Sequence, residues 1–214
     1  VQWRDEVLTT PVKPGKGPLA LRLSFVNDDG EPTGRLDFTE AGTQKRLAVY
    51  VVAGPREVPG IARLGPDALG PDLSEAAFAD ILAAAGRAQI KGVLRDQSII
   101  AGIGNAYSDE ILHAAKLSPF KPSNALTADE HERLFRAVKD ELGDAIQRSV
   151  GRAAKELKGE KKIGLRVHGR AGEPCDVCGT RIAEVSFADS SLQYCPGCQT
   201  GGKPLKDRTT SKFL

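Results

Sequence analysis

The sequence predicts an α+β protein in three parts: a small β domain, a helical region and a C-terminal β-hairpin. Three observations lead there. Residues 19–26 (LALRLSFV) and 46–53 (RLAVYVVA) are short β-rich runs, the first alternating apolar and polar over much of its length. Between residues 74 and 146 apolar side chains recur at helical spacing. The only four cysteines then fall into two C-x2-C pairs flanking two short strand-like runs.

Each element follows from local chemistry. Asn27-Asp28-Asp29-Gly30 supplies a turn after the first run, so residues 1–54 are assigned to the stub of a β domain. From Gly54 to Leu73 the chain is crowded with Gly and Pro, which break both periodicities, and residues 55–73 read as a linker. Ser74 is placed to cap a helix over 74–85, in which Phe78, Ile81 and Leu82 share a face. A second helix is expected over 88–96, and a third starts at Asn105, expected to cap it. Thr127 and Glu130 match a capping box, followed by Leu134, Val138, Leu142 and Ile146, a stripe assigned to the core. The Lys-rich run KELKGEKK at 155–162 reads as a solvated face. The helical domain is therefore drawn at 74–160, the hairpin at 161–200 and a basic tail at 201–214.

Composition narrows the class. The 214 residues carry 30 Lys plus Arg against 28 Asp plus Glu. Residues 155–214 hold 11 basic and 7 acidic side chains, so the basic excess lies at the C-terminal end. No run approaches the roughly 20 apolar residues of a membrane span, and nothing near Val1 resembles a signal peptide. The expectation is an intracellular, cytoplasmic chain without membrane contact. With no Met and an opening of Val1-Gln2-Trp3-Arg4, it reads as N-terminally incomplete.

Cys175 and Cys178, and then Cys195 and Cys198, are each separated by two residues, with sixteen between the pairs. That is the spacing at which two tight turns converge four thiolates on a tetrahedral Zn²⁺. Four thiolates leave no open position for water, so the predicted metal is a single structural zinc that stabilises a hairpin too small for a core of its own. Residues 181–187 and 192–194 read as its strands. His113, His131 and His168 are not needed as ligands and read as packing or surface residues.

Gly102-Ile103-Gly104 permits a sharp turn ahead of the helix at Asn105. Such a junction directs backbone N–H groups outward and binds a phosphate readily, with Lys91 in range to add charge. An ordinary turn explains the same residues, and both readings stay open at this level.

The run from Gln97 to Glu110 (QSIIAGIGNAYSDE) resembles the helix-two-turn-helix signature of the formamidopyrimidine-DNA glycosylase and endonuclease VIII family. Val167–Cys175 (VHGRAGEPC) and Tyr194–Gln199 (YCPGCQ) resemble that family's zinc finger. The resemblance implies the remnant of an N-terminal β-sandwich, a helix-two-turn-helix domain and a four-cysteine zinc-finger β-hairpin. It implies a base-excision-repair DNA glycosylase and AP lyase that flips oxidised bases out of duplex DNA and cuts the strand through a Schiff base. The implied partner is duplex DNA with oxidised or abasic lesions, bound by a monomer. The implied DNA contacts are Lys91, Gly104, Asn105 and Arg170, and the implied metal ligands are Cys175, Cys178, Cys195 and Cys198.

The chain departs from the family in five places. The N-terminal Pro-Glu that carries the family's chemistry is absent, so no residue of this chain is assigned a catalytic role. Ser190 stands where many relatives have an Arg at the finger tip, and His168 where they usually have Tyr. Residues 39–46 replace the loop that fills the gap left by the flipped base, leaving Gln44, Lys45 or Arg46 for that task or as exposed strand-end residues. The Lys-rich run is short beside the lesion-capping loop. Three readings therefore remain: the DNA-binding portion of such a glycosylase, a non-catalytic DNA-binding remnant, and a zinc-ribbon module that contacts protein or RNA.

Overall fold

The computed structural model describes residues 2–4, 18–40, 45–151, 164–188 and 190–206. The Lys-rich run, Gln44 and the last eight residues lie outside them. The chain divides into two compact units, Val1–Val58 and Pro59–Leu214.

The first unit is an antiparallel sheet in the order β1-β3-β2, from β1 (Gln2–Arg4), β2 (Leu19–Val26) and β3 (Pro32–Thr39). The predicted turn joins β2 to β3: Asn27 Oδ1 accepts from the amides of Asp29 and Glu31, and Gly30 takes φ +80°. Across the sheet, Arg22 meets Asp37 through two hydrogen bonds of 2.5 and 2.8 Å. The second predicted strand is not formed. Residues 45–52 run without a ladder among the described residues, and Val49, Tyr50 and Val51 are exposed. A β-rich composition makes a strand only where a neighbour takes up its backbone groups. Lys45 and Arg46 are exposed, their chain held by Glu40 Oε1, which accepts from the amides of Arg46 and Leu47.

The second unit contains α1 (Pro59–Ala62), α2 (Glu75–Ala84), α3 (Ile90–Arg95), α4 (Asn105–Ala114), α5 (Ala128–Ser149), β4 (Ala183–Ser186), β5 (Ser191–Tyr194) and α6 (Pro196–Gln199). Two helix starts follow the predicted caps. Ser74 Oγ accepts from the Ala77 amide, and the Thr127–Glu130 capping box is complete. Phe78, Leu82, Ile90, Leu94, Ile100, Ile103, Ile111, Leu112, Leu134 and Val138 build one core. Ile146, expected in that core, is half exposed and lines a cavity of about 470 Å³ with Asp67, Gly102, Tyr107, Leu142 and Val150.

Part of the predicted linker is stitched into this unit. The Gly65 amide donates to Gln97 O, Ala101 N to Pro66 O and Ala68 N to Ala101 O, each at 2.9 Å. A Cβ at Gly65 would lie 2.3 Å from Ile99 O, so only glycine allows the approach.

Candidate metal centre and nucleic-acid interface

The finger's two knuckles are set by short-range geometry. Gly179 N donates to Cys175 O at 2.8 Å, and Gly179 takes φ +72°. In the second knuckle, Cys195 Sγ accepts from the Cys198 amide at 3.4 Å at the head of α6. Gly197 is required there, because a Cβ would lie 2.5 Å from Thr180 Oγ1 and 2.9 Å from Cys178 Sγ. The knuckles bring Cys178 Sγ to 3.3 Å from Cys195 Sγ and Cys175 Sγ to 3.9 Å from Cys198 Sγ. Ligand atoms of a tetrahedral zinc–thiolate site stand about 3.8 Å apart, so the donors fit one structural zinc. Burial pushes the Cys195 and Cys198 thiols up, whereas the hydroxyl and amide of Thr180 pull Cys178 down to about 6. Cys178 is also the one exposed ligand. β4 and β5 pair Ala183 with Tyr194 through Ser186 with Ser191, so β4 falls within the expected 181–187 and β5 starts one residue before the expected 192–194. Asp189, in the turn expected from the sequence, lies outside the described residues.

A fifth donor stands beside this set. His113, on α4, is buried, and its Nε2 lies 3.4 Å from Cys175 Sγ. Nothing in the local sequence signals this approach, which spans 62 positions. Burial holds the His113 imidazole below its usual range.

The glycine turn is braced from behind. Gln97 Oε1 accepts from the Gly102 amide at 3.0 Å, while its Nε2 donates to Ile103 O at 2.8 Å. Gly102 takes φ +99°, in the left-handed region that favours glycine. Asn105 is not the cap. Gly104 holds that position with no side-chain cap, and Asn105 is the first helical residue. Its Nδ2 instead donates to Ser191 O of β5 at 2.9 Å, tying the start of α4 to the finger, while its Oδ1 is buried without a hydrogen-bond partner.

Lys91 and Arg170 are placed differently from one another. Lys91 is buried, and its Nζ donates to Asn105 O at 3.2 Å, Ser108 Oγ at 2.6 Å and Asp109 Oδ1 at 2.6 Å. Burial lowers its pKa against the pull of Asp109. Arg170 clamps the first knuckle: its Nε meets Glu173 Oε2 at 2.7 Å and its Nη1 meets Asp176 Oδ2 at 2.6 Å. These contacts raise the Arg170 pKa and hold the Asp176 carboxyl low.

Besides Asn105, the finger is joined to the helices by residues to which the sequence assigned no site role. Asp109 Oδ2 meets His168 Nδ1 at 2.8 Å and accepts from the Gln193 amide at 3.2 Å. Glu110 Oε1 accepts from the amides of Val167 and His168, and Oε2 from that of Arg166. Gln199 Oε1 accepts from the Cys195 amide, and its Nε2 donates to Leu117 O. The one available signal was a polar run, Ser108 to Glu110, inside a buried helix.

Comparison with known proteins decides the family. The profile "Formamidopyrimidine-DNA glycosylase H2TH domain" matches residues 64–155, and "Zinc finger found in FPG and IleRS" matches 172–201. An uncharacterized formamidopyrimidine-DNA glycosylase-like protein of Mycobacterium tuberculosis is 55% identical over 151 residues, 70% of this chain and 96% of that protein. The chain belongs to the formamidopyrimidine-DNA glycosylase family. The formamidopyrimidine-DNA glycosylase (Fpg) of Symbiobacterium thermophilum is 36% identical over 85% of this chain and 60% of its own length. Among solved structures, Lactococcus lactis Fpg bound non-covalently to DNA with an AP site matches with a TM-score of 0.70 and 26% identity, over 93% of this chain and 70% of that one. The same enzyme with N7-benzyl-Fapy-dG DNA matches at 0.60 and 31% identity, over 68% and 55%. The chain thus spans 60% of the Symbiobacterium Fpg but nearly all of the Mycobacterium protein. The α+β architecture and the structural zinc are those of this family.

Proposed function

We propose that this chain is the damaged-DNA-holding portion of a base-excision DNA glycosylase and AP lyase, acting as a monomer on duplex DNA with oxidised or abasic lesions. One observation carries the reading: the uncapped N-terminus of α4 is joined to finger strand β5 through Asn105. The first amides of a helix lack intrahelical acceptors and carry the positive end of its dipole. Without a capping side chain at Gly104, these amides are left for an anion, as a DNA phosphate supplies. Asn105 Nδ2 has a second hydrogen besides the one it gives Ser191 O, and can offer it to a phosphate oxygen at the same place. The structural neighbours in complex with AP-site and Fapy-dG DNA support the choice of ligand.

In this reading Gly104 and Asn105 contact the phosphate, and Lys91 positions them from behind by holding Asn105 O and Asp109. Arg170 shapes the knuckle through Glu173 and Asp176 rather than meeting DNA. Fluorescence anisotropy with a duplex containing a tetrahydrofuran abasic analogue tests these roles. Asn105→Ala weakens binding about tenfold, the loss of one charge-assisted hydrogen bond. Lys91→Met weakens it too but leaves the salt dependence unchanged; a slope flattened by about 0.9 would place Lys91 on a phosphate directly. Undiminished affinity in both variants would sink the DNA reading and favour the interaction module.

The Mycobacterium relative favours a second reading, a DNA-binding unit without glycosylase chemistry, because 151 matched residues make up 96% of it. Codons upstream of Val1 separate the two. An in-frame Pro-Glu following a start codon supports the enzyme, and a stop codon the binding unit.

A further inference from the structure

We propose that His113 is a reserve ligand of the zinc site, placed to take the coordination position of Cys178. His113 Nε2, Cys175 Sγ, Cys195 Sγ and Cys198 Sγ all lie within 4.8 Å of one another. The Nε2–Cys175 Sγ distance of 3.4 Å is close to the roughly 3.5 Å that separates nitrogen and sulfur ligands on one zinc. Three cysteines with one histidine are themselves a common structural zinc set, so the exchange leaves the site four-coordinate and closed.

The two competing donors differ in how they are held. Cys178 is exposed, on the solvent side of a five-residue knuckle. His113 is carried by α4 between Leu112 and Ala114 and faces the site from the helical core. Three of the four alternative donors are buried, and Cys198 is partly so. Nδ1 of His113 has no hydrogen-bond partner, so no neighbour on that side of the ring fixes its tautomer. With Nε2 protonated the ring donates to the Cys175 thiolate; with the proton on Nδ1 the Nε2 lone pair is free for the metal. A single side chain therefore serves either as an outer hydrogen-bond donor or as an inner ligand, with no change in helix position. The exchange also lowers the negative charge of the site by one, since a neutral imidazole replaces a thiolate.

The inference rests on the finger's holding zinc, and Co²⁺ titration of the full chain tests both separately. Wild type is expected to take up one tetrahedral Co²⁺ with thiolate-to-metal absorption. Cys178→Ser is expected to retain one Co²⁺ with that absorption reduced by about a quarter and affinity within about tenfold of wild type. Adding His113→Phe to Cys178→Ser should cost at least a further hundredfold or so, since the fourth protein donor is then gone. Cys195→Ser, which removes a donor common to both sets, should bind as poorly as the double variant. Helical circular dichroism, recorded alongside, shows that α4 is folded in each, and His113→Gln replaces His113→Phe if it is not. Equal Co²⁺ affinity in Cys178→Ser with and without His113 would overturn the reserve-ligand assignment while leaving the zinc finger intact. A wild-type chain that binds no Co²⁺ would overturn the zinc reading, and this inference with it.

Discussion

Asp109 is fully buried, and its two oxygens face a lysine, an imidazole and a backbone amide. Removing its charge leaves Lys91 without a counter-ion in a place water does not reach, a change that costs about 3 to 5 kcal/mol. Asp109→Asn is expected to lower stability to chemical denaturation by that order. Pairing it with Lys91→Met should recover part of the loss, because no lone charge then remains buried. Failure of the double variant to recover would locate the cost in His168 and Gln193 instead. Gly197 makes a second residue-scale case. Its Cβ would press on Cys178 Sγ at 2.9 Å, so Gly197→Ala should weaken metal binding about tenfold without touching a ligand. Competition with a chromophoric chelator reads the shift.

At the scale of elements, α4 joins the parts of the second unit. One face packs Ile111 and Leu112 into the helical core, and Asp109, Glu110 and His113 point at the finger. Glu110 accepts three consecutive amides from Arg166 to His168, fixing where the chain enters the hairpin. Glu110→Ala should raise hydrogen exchange at those amides while leaving α5 protected. The start of α5 offers a pH test. Burial lifts the Glu130 carboxyl, but Lys121 and the Thr127 amide pull it further down, for a net value below the ordinary glutamate range. Its stabilising contribution is therefore complete above that ordinary range and is lost as pH falls through the lowered value. The cost of Glu130→Ala should be about 1 kcal/mol near neutrality and vanish in acid, read from denaturation midpoints across pH.

For the second unit as a whole, two kinds of core share the work. The helical core is apolar and continuous, whereas among the described residues the finger has only Val167, Ile182 and the cysteines around its metal, with Val185, Leu192 and Tyr194 on the hairpin beside Phe120 and Leu205. Chelation should therefore unfold the hairpin and abolish duplex binding while most helical signal survives. Simultaneous loss of both signals would mean that the helices depend on the finger. No helix among the described residues is long and apolar enough to cross a membrane.

Ser74, Thr127 with Glu130, the turn at Asn27–Gly30 and the two C-x2-C pairs were legible in the sequence because each acts over five residues or fewer, within reach of caps, turns and knuckles. The α+β class and the zinc follow from those local patterns, and the family from its resemblance to the runs at 97–110, 167–175 and 194–199. What only the tertiary structure decided is whom each polar group meets. Asn105 bonds to Ser191 across 86 positions rather than capping its own helix, Glu110 reaches Val167 across 57, and His113 reaches Cys175 across 62. Residues 46–53 show the same limit, since a strand-like composition became no strand without a ladder partner among the described residues. Local preference is written residue by residue, but burial and hydrogen-bond satisfaction are settled between distant segments only once the chain has folded.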